Sequence, residues 1–141
     1  MSIVYLWRGT FTNVEVNALH AEAFRAPTDD VSERNWSALV ERQSLGWVLA
    51  RDDGRLVGFV NVTWDGLLHA WILETMVASG ARRRGVGKNL VATARAEATH
   101  AGCEWLHVDF TDDLRPFYVD ACGFTPTSAG LMALREAGHS S

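Results

Sequence analysis

The sequence predicts an α/β fold in which a mixed sheet carries helices on both faces. Two observations favour this fold class. The first half of the chain has the pattern of one strand, two helices and then an antiparallel meander. In the second half a strand, a glycine-containing loop, an alanine-rich helix and another strand follow one another, an order that gives a parallel crossover.

Length and composition limit the classes of protein to consider. The 141 residues fit one domain, which we expect to span residues 1–137, with a frayed tail at 138–141. A hydrophobic fraction of 48% is typical of a globular protein with a core. The net charge of −4 argues against a nucleic-acid or membrane-surface binder, both of which need positive charge. We therefore expect neither nucleic acid nor membrane among its partners.

The chain also lacks signals for export and for a metal centre. No run of about eighteen apolar residues is present, and no basic residue precedes the short apolar run at Met1–Trp7. Two widely spaced cysteines, Cys103 and Cys122, are too few for a disulfide framework or a zinc site. We expect a cytoplasmic protein with reduced thiols and no metal.

The first half of the chain contains clear helix and strand signals. Ile3–Arg8 is predicted to form the first strand. Thr12 and Glu15 have the spacing of a capping box, and the helix that follows has its apolar positions at Val16, Leu19, Ala23 and Phe24. Pro27–Asp30 is predicted to end this helix. A second helix is predicted from Ser32 to about Gln43, with a buried side made of Trp36, Leu39 and Val40.

Turn residues delimit the meander and the crossover helix. Strands are predicted over residues 47–50, 56–64 and 68–77, separated by Asp-Gly turns. The crossover helix is predicted to end at Gly102, and its buried stripe consists of Val86, Leu90, Ala94, Ala98 and Ala101.

The end of the chain is predicted to return to the sheet. Residues 104–110 form the strand after the crossover helix, and Asp112 or Asp113 then caps a short helix that Gly123 ends. Pro116 falls in the first turn of this helix, where a missing N–H does no harm. Phe124–Leu134 is predicted to supply one or two final strands.

A loop with three glycines joins Val77 to the crossover helix. Glycines at such a junction let backbone N–H groups converge at the positive end of the helix dipole, which suits a phosphate. The side chains available to pair with that phosphate are Arg82, Arg83, Arg84 and Lys88. Leu90 stands where a dinucleotide fingerprint has its third glycine, and Asn89 replaces the magnesium-holding hydroxyl of a Walker loop. Two alternatives stay open, a solvated turn and a nucleic-acid contact.

Two segments carry a family resemblance. Arg82–Gly87 resembles the acyl-CoA loop, Gln/Arg-x-x-Gly-x-Gly/Ala, of the GNAT (Gcn5-related N-acetyltransferase) superfamily. Phe117-Tyr118 followed by Cys122–Phe124 resembles the second signature of that family. The resemblance covers residues 74–124, and upstream of these only the order of elements supports it. It implies a mostly antiparallel sheet splayed in the middle and an N-acetyltransferase that uses acetyl-CoA as co-substrate.

The resemblance also implies which residues bind the coenzyme. The backbone amides from Arg83 to Lys88 would hold the pyrophosphate, and pantetheine would bond to the backbone near Met76 and Val77. The Val77 amide would polarise the thioester carbonyl. Thr111 stands where the family often has a cofactor-contacting asparagine. The implied cofactor-binding set is Met76, Val77, Arg82, Arg83, Arg84, Gly85, Val86, Gly87, Lys88 and Thr111.

Two residues are the catalytic candidates. Tyr118 fits the acid that protonates the departing thiolate, because a phenol with a pKa of about 10 stays protonated at neutral pH. Packing in the core is the alternative role for this tyrosine. Glu74 fits the base that deprotonates the amine, and a solvated edge or a structural ion pair is its alternative. The weaker base candidates are His69, His107 and Asp109, and a water chain would leave no mark on the sequence.

Three hypotheses for function follow. The first is transfer of an acetyl group from acetyl-CoA to a primary amine of a small molecule or peptide. The second is an acyl-CoA-binding regulatory domain of the same fold without catalysis, and the third a nucleic-acid-binding module. The amine acceptor is not encoded in any motif, and a homodimer is possible in each case.

Overall fold

The computed structural model describes residues 2–24 and 33–135, and their core is built around one five-stranded sheet with strand order β1-β2-β3-β4-β5. The strands are β1 (Ile3–Trp7), β2 (Ser44–Asp52), β3 (Arg55–Trp64), β4 (His69–Val77) and β5 (Trp105–Val108). The helices are α1 (Asn13–Phe24), α2 (Trp36–Gln43) and α3 (Val86–His100). Within these described residues no helix has the length and hydropathy needed to cross a bilayer.

The pairing of the strands confirms a mixed sheet. Strands β1 to β4 pair antiparallel in sequence order, and β5 pairs parallel to β4 after the α3 crossover. The β2–β3 hairpin turns through Asp53 and Gly54, which have φ values of 50° and 85°. Positive φ at both central residues is the geometry of a type I′ turn, whose twist matches that of the strands. The predicted Asp-Gly turn is therefore confirmed here.

Neighbouring residues of β3 show that helices cover both faces of the sheet, as predicted. A Cβ placed on Gly58 would lie 2.9 Å from Val86 and 3.0 Å from Leu90, so α3 packs directly on this face. On the opposite face the Phe59 ring packs edge-on against Trp36 at 6.0 Å between centroids. Because side chains alternate along a strand, β3 separates α3 from α2. Gly58 is needed because any side chain there would push α3 off the sheet.

Both N-terminal helices differ from prediction in the residues that they bury. Helix α2 begins at Trp36 rather than Ser32, because the Asn35 side chain caps it by accepting from the Ala38 amide at 3.1 Å. Ser32 itself and the predicted break at Pro27–Asp30 lie outside the described residues. Trp36 and Val40 are buried as predicted, whereas Leu39 is 39% exposed. Phe24 is 52% exposed, since it ends α1 beyond the part that contacts the sheet.

The chain between α3 and residue 123 is more irregular than predicted. The stripe of α3 is buried except for Ala101, which lies past the last turn of the helix. Strand β5 covers only Trp105–Val108, and the predicted short helix is a 3₁₀ turn at Asp112–Leu114 followed by a π-helix at Pro116–Ala121. Neither Asp112 nor Asp113 caps it, because their carboxylates accept from Arg115 and Thr111 instead.

The prediction of final strands at Phe124–Leu134 is wrong. Residues 124–135 form no strand, and Leu131, Met132 and Leu134 are 88%, 81% and 92% exposed. Pro126 lacks a ladder donor and Gly130 weakens a strand, so the segment has neither the alternation nor the backbone that a strand requires.

A hydrogen-bonded ion pair between Glu15 and Arg51 connects α1 to the sheet. The predicted capping box is present, with Thr12 N–H donating to the Glu15 carboxylate at 3.0 Å and Glu15 N–H donating to the Thr12 hydroxyl at 3.2 Å. The same carboxylate accepts from Arg51 of β2 at 2.7 Å and 3.2 Å. The Arg51 guanidinium, foremost among several causes, lowers the pKa of Glu15 from 4.5 to about 2.

We expect the Glu15–Arg51 ion pair to make the free energy of unfolding depend on pH in the acidic range. The folded pKa of Glu15, about 2, lies below the ordinary 4.5, so its contribution is present above pH 4.5 and is lost as the pH falls towards 2. Because both side chains are partly solvated, the contribution is about 1 kcal/mol. Glu15→Gln, which keeps a capping side chain, should lower the free energy of unfolding at pH 7 and flatten this part of the pH profile. Urea denaturation at several pH values measures it, and the exposed Glu41→Gln serves as the control. A variant profile identical to that of the wild type would contradict the assignment.

Candidate active site

The predicted separation of neighbouring strands lies between β4 and β5, the last two strands in the order of the described sheet. They pair at only four positions, from His69↔Trp105 to Ile72↔Val108. Strand β4 continues from there to Val77. Its outer edge over residues 73–77 therefore has no strand beside it in the described part of the chain. A strand edge of this kind is a template for an extended ligand.

A bulge in β4 lies on this open edge. Between the pairs Asn61↔Leu73 and Phe59↔Met76, β3 advances by two residues while β4 advances by three. The extra residue is accommodated at Glu74, which has φ 58°. A left-handed backbone at a residue other than glycine is strained by about 1–3 kcal/mol, and such strain concentrates at functional sites. The bulge lifts Glu74 and Thr75 out of the regular ladder.

The backbone of Val77 points into the opening. At the next position, Ala78 N–H donates to the Val57 carbonyl of β3 at 2.8 Å. Successive positions of an antiparallel ladder alternate between amides that face the partner and amides that face away. Val77 N–H and C=O therefore face away from β3, whereas Met76 directs its amide to β3 and buries its side chain completely.

The loop after β4 presents open amides at the start of α3. Gly85 is the N-terminal cap residue with φ 74° and provides no side chain to bond the first turn. In the described chain the N–H groups of Val86, Gly87 and Lys88 donate to no other backbone group, and the ladder of α3 starts with Asn89 N–H donating to Gly85. Three N–H groups without a backbone acceptor at the positive end of a 15-residue helix have the geometry that suits an anion.

The basic side chains of the loop divide into two groups. Arg82 donates to the Ala23 carbonyl of α1 at 2.8 Å, and Arg84 pairs with Asp52 of β2 at 2.9 Å. These two arginines brace the loop against the protein. Arg83 and Lys88 are exposed and form no ion pair with the described residues, so their charges stay available for a ligand.

Gly87 brings the loop against the π-helix. A Cβ at this position would lie 3.0 Å and 3.2 Å from two atoms of the Phe117 ring and 3.6 Å from the Val77 side chain. The absence of a side chain thus allows the start of α3, the end of β4 and the π-helix to meet. The buried side chain of Val86 fixes the same turn on the sheet.

Tyr118 lies at this junction. Its ring is 7% exposed and packs on Phe110 at 5.4 Å and on Phe124 at 6.0 Å between centroids. Burial raises the pKa of the Tyr118 hydroxyl above its ordinary value, and the side chain of Thr75 partly offsets this effect. The phenol is therefore neutral, and it is placed beside the bulge of β4. Thr75 was missed from the sequence because a threonine in a strand carries no distinguishing pattern.

Two other predicted positions lie at the edges of the opening. Thr111 follows β5 and is exposed, and its hydroxyl donates to the Asp113 carboxylate. The weaker base candidates His69 and His107 form a pair 2.8 Å apart between ring nitrogens, stacked beside Trp71 where β4 and β5 are still joined. Asp109 is exposed just beyond β5. Among the described residues no three potential metal-ligating side chains come together.

Glu74 forms an ion pair, which is the alternative role that the sequence analysis gave it, although the partner was not identified there. The Arg34 guanidinium lies 3.8 Å from the Glu74 carboxylate, with side-chain exposures of 53% and 34%. Arg34 precedes α2, so its approach to β4 is set by tertiary packing and leaves no local signal. Asn17 of α1 fixes the Arg34 backbone by accepting from its N–H at 3.1 Å and donating to its carbonyl at 3.0 Å.

Comparison with known proteins agrees with this geometry. The model of the acetyltransferase (GNAT) family matches residues 12–124. The curated proteins contain no match to this sequence.

Several solved structures share the fold. An acetyltransferase from Trypanosoma brucei superposes with a TM-score of 0.76 at 18% identity, covering 94% of this chain and 99% of its own. Glucosamine-6-phosphate N-acetyltransferase from Arabidopsis thaliana gives 0.73 at 14% identity, with coverages of 94% and 99%. The aminoglycoside N-acetyltransferase AAC(6')-Iy in complex with CoA gives 0.74 at 18% identity, covering 95% of each chain. At these identities the likeness establishes the fold.

The packing of Gly87 leads to a binding prediction. Gly87→Val should weaken CoA binding roughly tenfold or more, because the new side chain displaces Phe117 and crowds the open amides. Gly80→Val is the matched control, since a Cβ at this position of the same loop meets nothing within 4 Å. Titration calorimetry with CoA measures the effect, and thermal denaturation reports on folding. Equal affinities for the two variants would refute the assignment of the loop.

Proposed function

The chain belongs to the acetyltransferase (GNAT) family, and from that premise we propose that it transfers the acetyl group of acetyl-CoA directly to a primary amine of a small molecule or peptide. The observation that supports this most strongly is one juxtaposition. The open amides at the start of α3 and the outward amide of Val77 come together with the π-helix that carries the neutral phenol of Tyr118, because Gly87 packs against both Phe117 and Val77.

The loop and the open strand edge fit CoA. The amides of Val86, Gly87 and Lys88 would bond the pyrophosphate, and the free charges of Arg83 and Lys88 would pair with the 3′-phosphate. Arg82 and Arg84 would hold the loop in shape through their bonds to α1 and β2. Pantetheine would run along the open edge of β4 as an added strand.

The Val77 amide is suited to the thioester carbonyl. It is a preorganised N–H in a site that water leaves when the coenzyme binds, so it would stabilise negative charge on the oxygen as the amine attacks. One such donor contributes roughly 3 kcal/mol to acyl transfer in other enzymes. The strained bulge at Glu74, three residues before Val77, interrupts regular strand pairing in this part of β4.

Two side chains transfer the protons that the reaction requires. As the amine nitrogen bonds to the acyl carbon and the carbon–sulfur bond breaks, Tyr118 donates its hydroxyl proton to the departing thiolate. The Glu74 carboxylate accepts the proton that the amine loses, either directly or through one water. Proton exchange with solvent then restores both side chains. Burial keeps Tyr118 protonated, so the acid is in its active form across the neutral range.

A second candidate function is a CoA-binding domain without catalysis. It is favoured by the position of Arg34, whose guanidinium lies 3.8 Å from the Glu74 carboxylate and gives that carboxylate a structural ion-pair partner. Release of free thiol from acetyl-CoA in the presence of an amine panel separates the two functions. Amine-dependent release supports transfer, whereas tight CoA binding without release for any amine supports the second candidate.

Removing the phenol hydroxyl should impair catalysis selectively. We expect Tyr118→Phe to lower kcat roughly 100-fold while CoA affinity changes little, because the ring packing is kept and only the acid is lost. Tyr5→Phe removes the other phenol of the chain, whose hydroxyl accepts from Asn89 on the surface, and should leave kcat unchanged. Steady-state thiol release and CoA calorimetry supply both numbers. Full activity in Tyr118→Phe would eliminate the acid role.

Neutralising the proposed base should change the pH profile. We expect Glu74→Gln to lower kcat/KM roughly 100-fold at pH 7 and less at high pH, where more of the amine is already unprotonated. The exposed Glu104→Gln is the charge-matched control. A variant whose kcat/KM and pH profile equal those of the wild type would show that another group or solvent, rather than Glu74, accepts the proton of the amine.

A further inference from the structure

We propose that the acceptor is a small amino acid, with a carboxylate near its reactive amine, and that Arg34 is the residue that recognises this carboxylate. The inference rests on the proposed acetyl transfer and names the class of its acceptor. It is carried by the pairing of Arg34 with Glu74 on the side of the sheet that holds α1 and α2.

The distance between these two charged groups shows that neither is saturated. Glu15 and Arg51 form direct hydrogen bonds at 2.7 Å and 3.2 Å, so that pair uses its donors and acceptors on each other. Arg34 and Glu74 approach only to 3.8 Å, beyond hydrogen-bond distance, and both remain partly exposed. The guanidinium keeps its planar fork of donors, and the carboxylate keeps its acceptor positions.

The Arg34 guanidinium is held in place without using those donors. Its backbone is bonded on both sides by Asn17. Its guanidinium lies 5.5 Å from the centroid of the Trp36 ring, and the indole N–H of Trp36 donates to the same Asn17 at 2.9 Å. A guanidinium stacked on an aromatic ring retains its edge for bidentate bonding to a carboxylate. Arg34 thus has the preorganisation of a recognition residue.

The charges nearby match an acceptor that carries both signs. A cavity of about 430 Å³ opens beside Arg34 between α1 and the segment before α2. It is lined by Asn13, Val14, Asn17, Ala18, Glu33, Arg34 and Asn35, and Glu74 lies beyond this lining on the other side of Arg34. An amine without an anionic group would bring its positive charge against Arg34. An amino acid instead places its ammonium at Glu74 and its carboxylate at Arg34. The ammonium and carboxylate of an amino acid are about as close to each other as the charges of Arg34 and Glu74 are.

Matched acceptor pairs provide the test. Glycine, L-leucine and L-phenylalanine are compared with their carboxamides, as acetyl acceptors by thiol release and as ligands of the CoA-loaded protein by calorimetry. At neutral pH a larger fraction of each carboxamide than of its amino acid has an unprotonated amine. This difference favours reaction of the carboxamides, so it is opposite in direction to the expected preference. The variants are Arg34→Gln and, as the control for loss of one exposed positive charge on the neighbouring helix, Arg42→Gln.

We expect the wild type and Arg42→Gln to prefer at least one free amino acid over its carboxamide by roughly tenfold or more in kcat/KM. Arg34→Gln should abolish that preference, chiefly through a higher KM for the amino acid. Carboxamides that react as well as amino acids in the wild type would overturn the inference while leaving acetyl transfer intact. Binding of amino acids that depends on Arg34 but leads to no turnover would support carboxylate recognition by Arg34 and would refute the transfer. If the protein neither binds nor acetylates the amino acids, the inference is overturned.

Discussion

The early separation of β5 from β4 is the constraint on which the rest of the structure depends. After four paired positions the edge of β4 is left with backbone groups that no strand bonds. Unpaired N–H and C=O groups are unfavourable once they are removed from water, so an extended ligand that can bond them gains affinity from the backbone alone. The bulge at Glu74 follows closely after the last β4–β5 pair at Ile72, and it shifts the register between β3 and β4 there.

The core of the protein orients the phosphate-binding loop towards this gap. Gly58 lets α3 approach β3 closely, and the buried Val86 fixes its first turn there. Gly87 then admits the Phe117 ring, so the π-helix and its Tyr118 come to the same place. Gly58, Val86 and Gly87, whose role would otherwise be described as packing, therefore set the geometry of the site. The braces formed by Arg82 and Arg84 have the same effect on the loop, because they use side chains of the binding motif as structural contacts.

Local patterns predicted most of the fold and the backbone part of the site. The capping box at Thr12, the Asp-Gly hairpin and the glycines of the loop each specify conformation within a few residues, so they could be found without the fold. Arg34 and Thr75 could not, because their roles arise when segments distant in sequence meet. The final strands at Phe124–Leu134 were predicted wrongly, since Pro126 and Gly130 interrupt any ladder there. The π-helix around Tyr118 has no simple periodicity that a sequence would reveal.

The central claim is that main-chain amides on both sides of the loop, at Val77 and at the start of α3, bind the coenzyme. Backbone amide NMR during titration with acetyl-CoA tests it most directly, because each of these groups gives its own signal. We expect the signals of Val77, Val86, Gly87 and Lys88 to shift with one common saturation curve and to become protected from hydrogen exchange. Saturating acetyl-CoA that leaves these four signals in place would contradict the account.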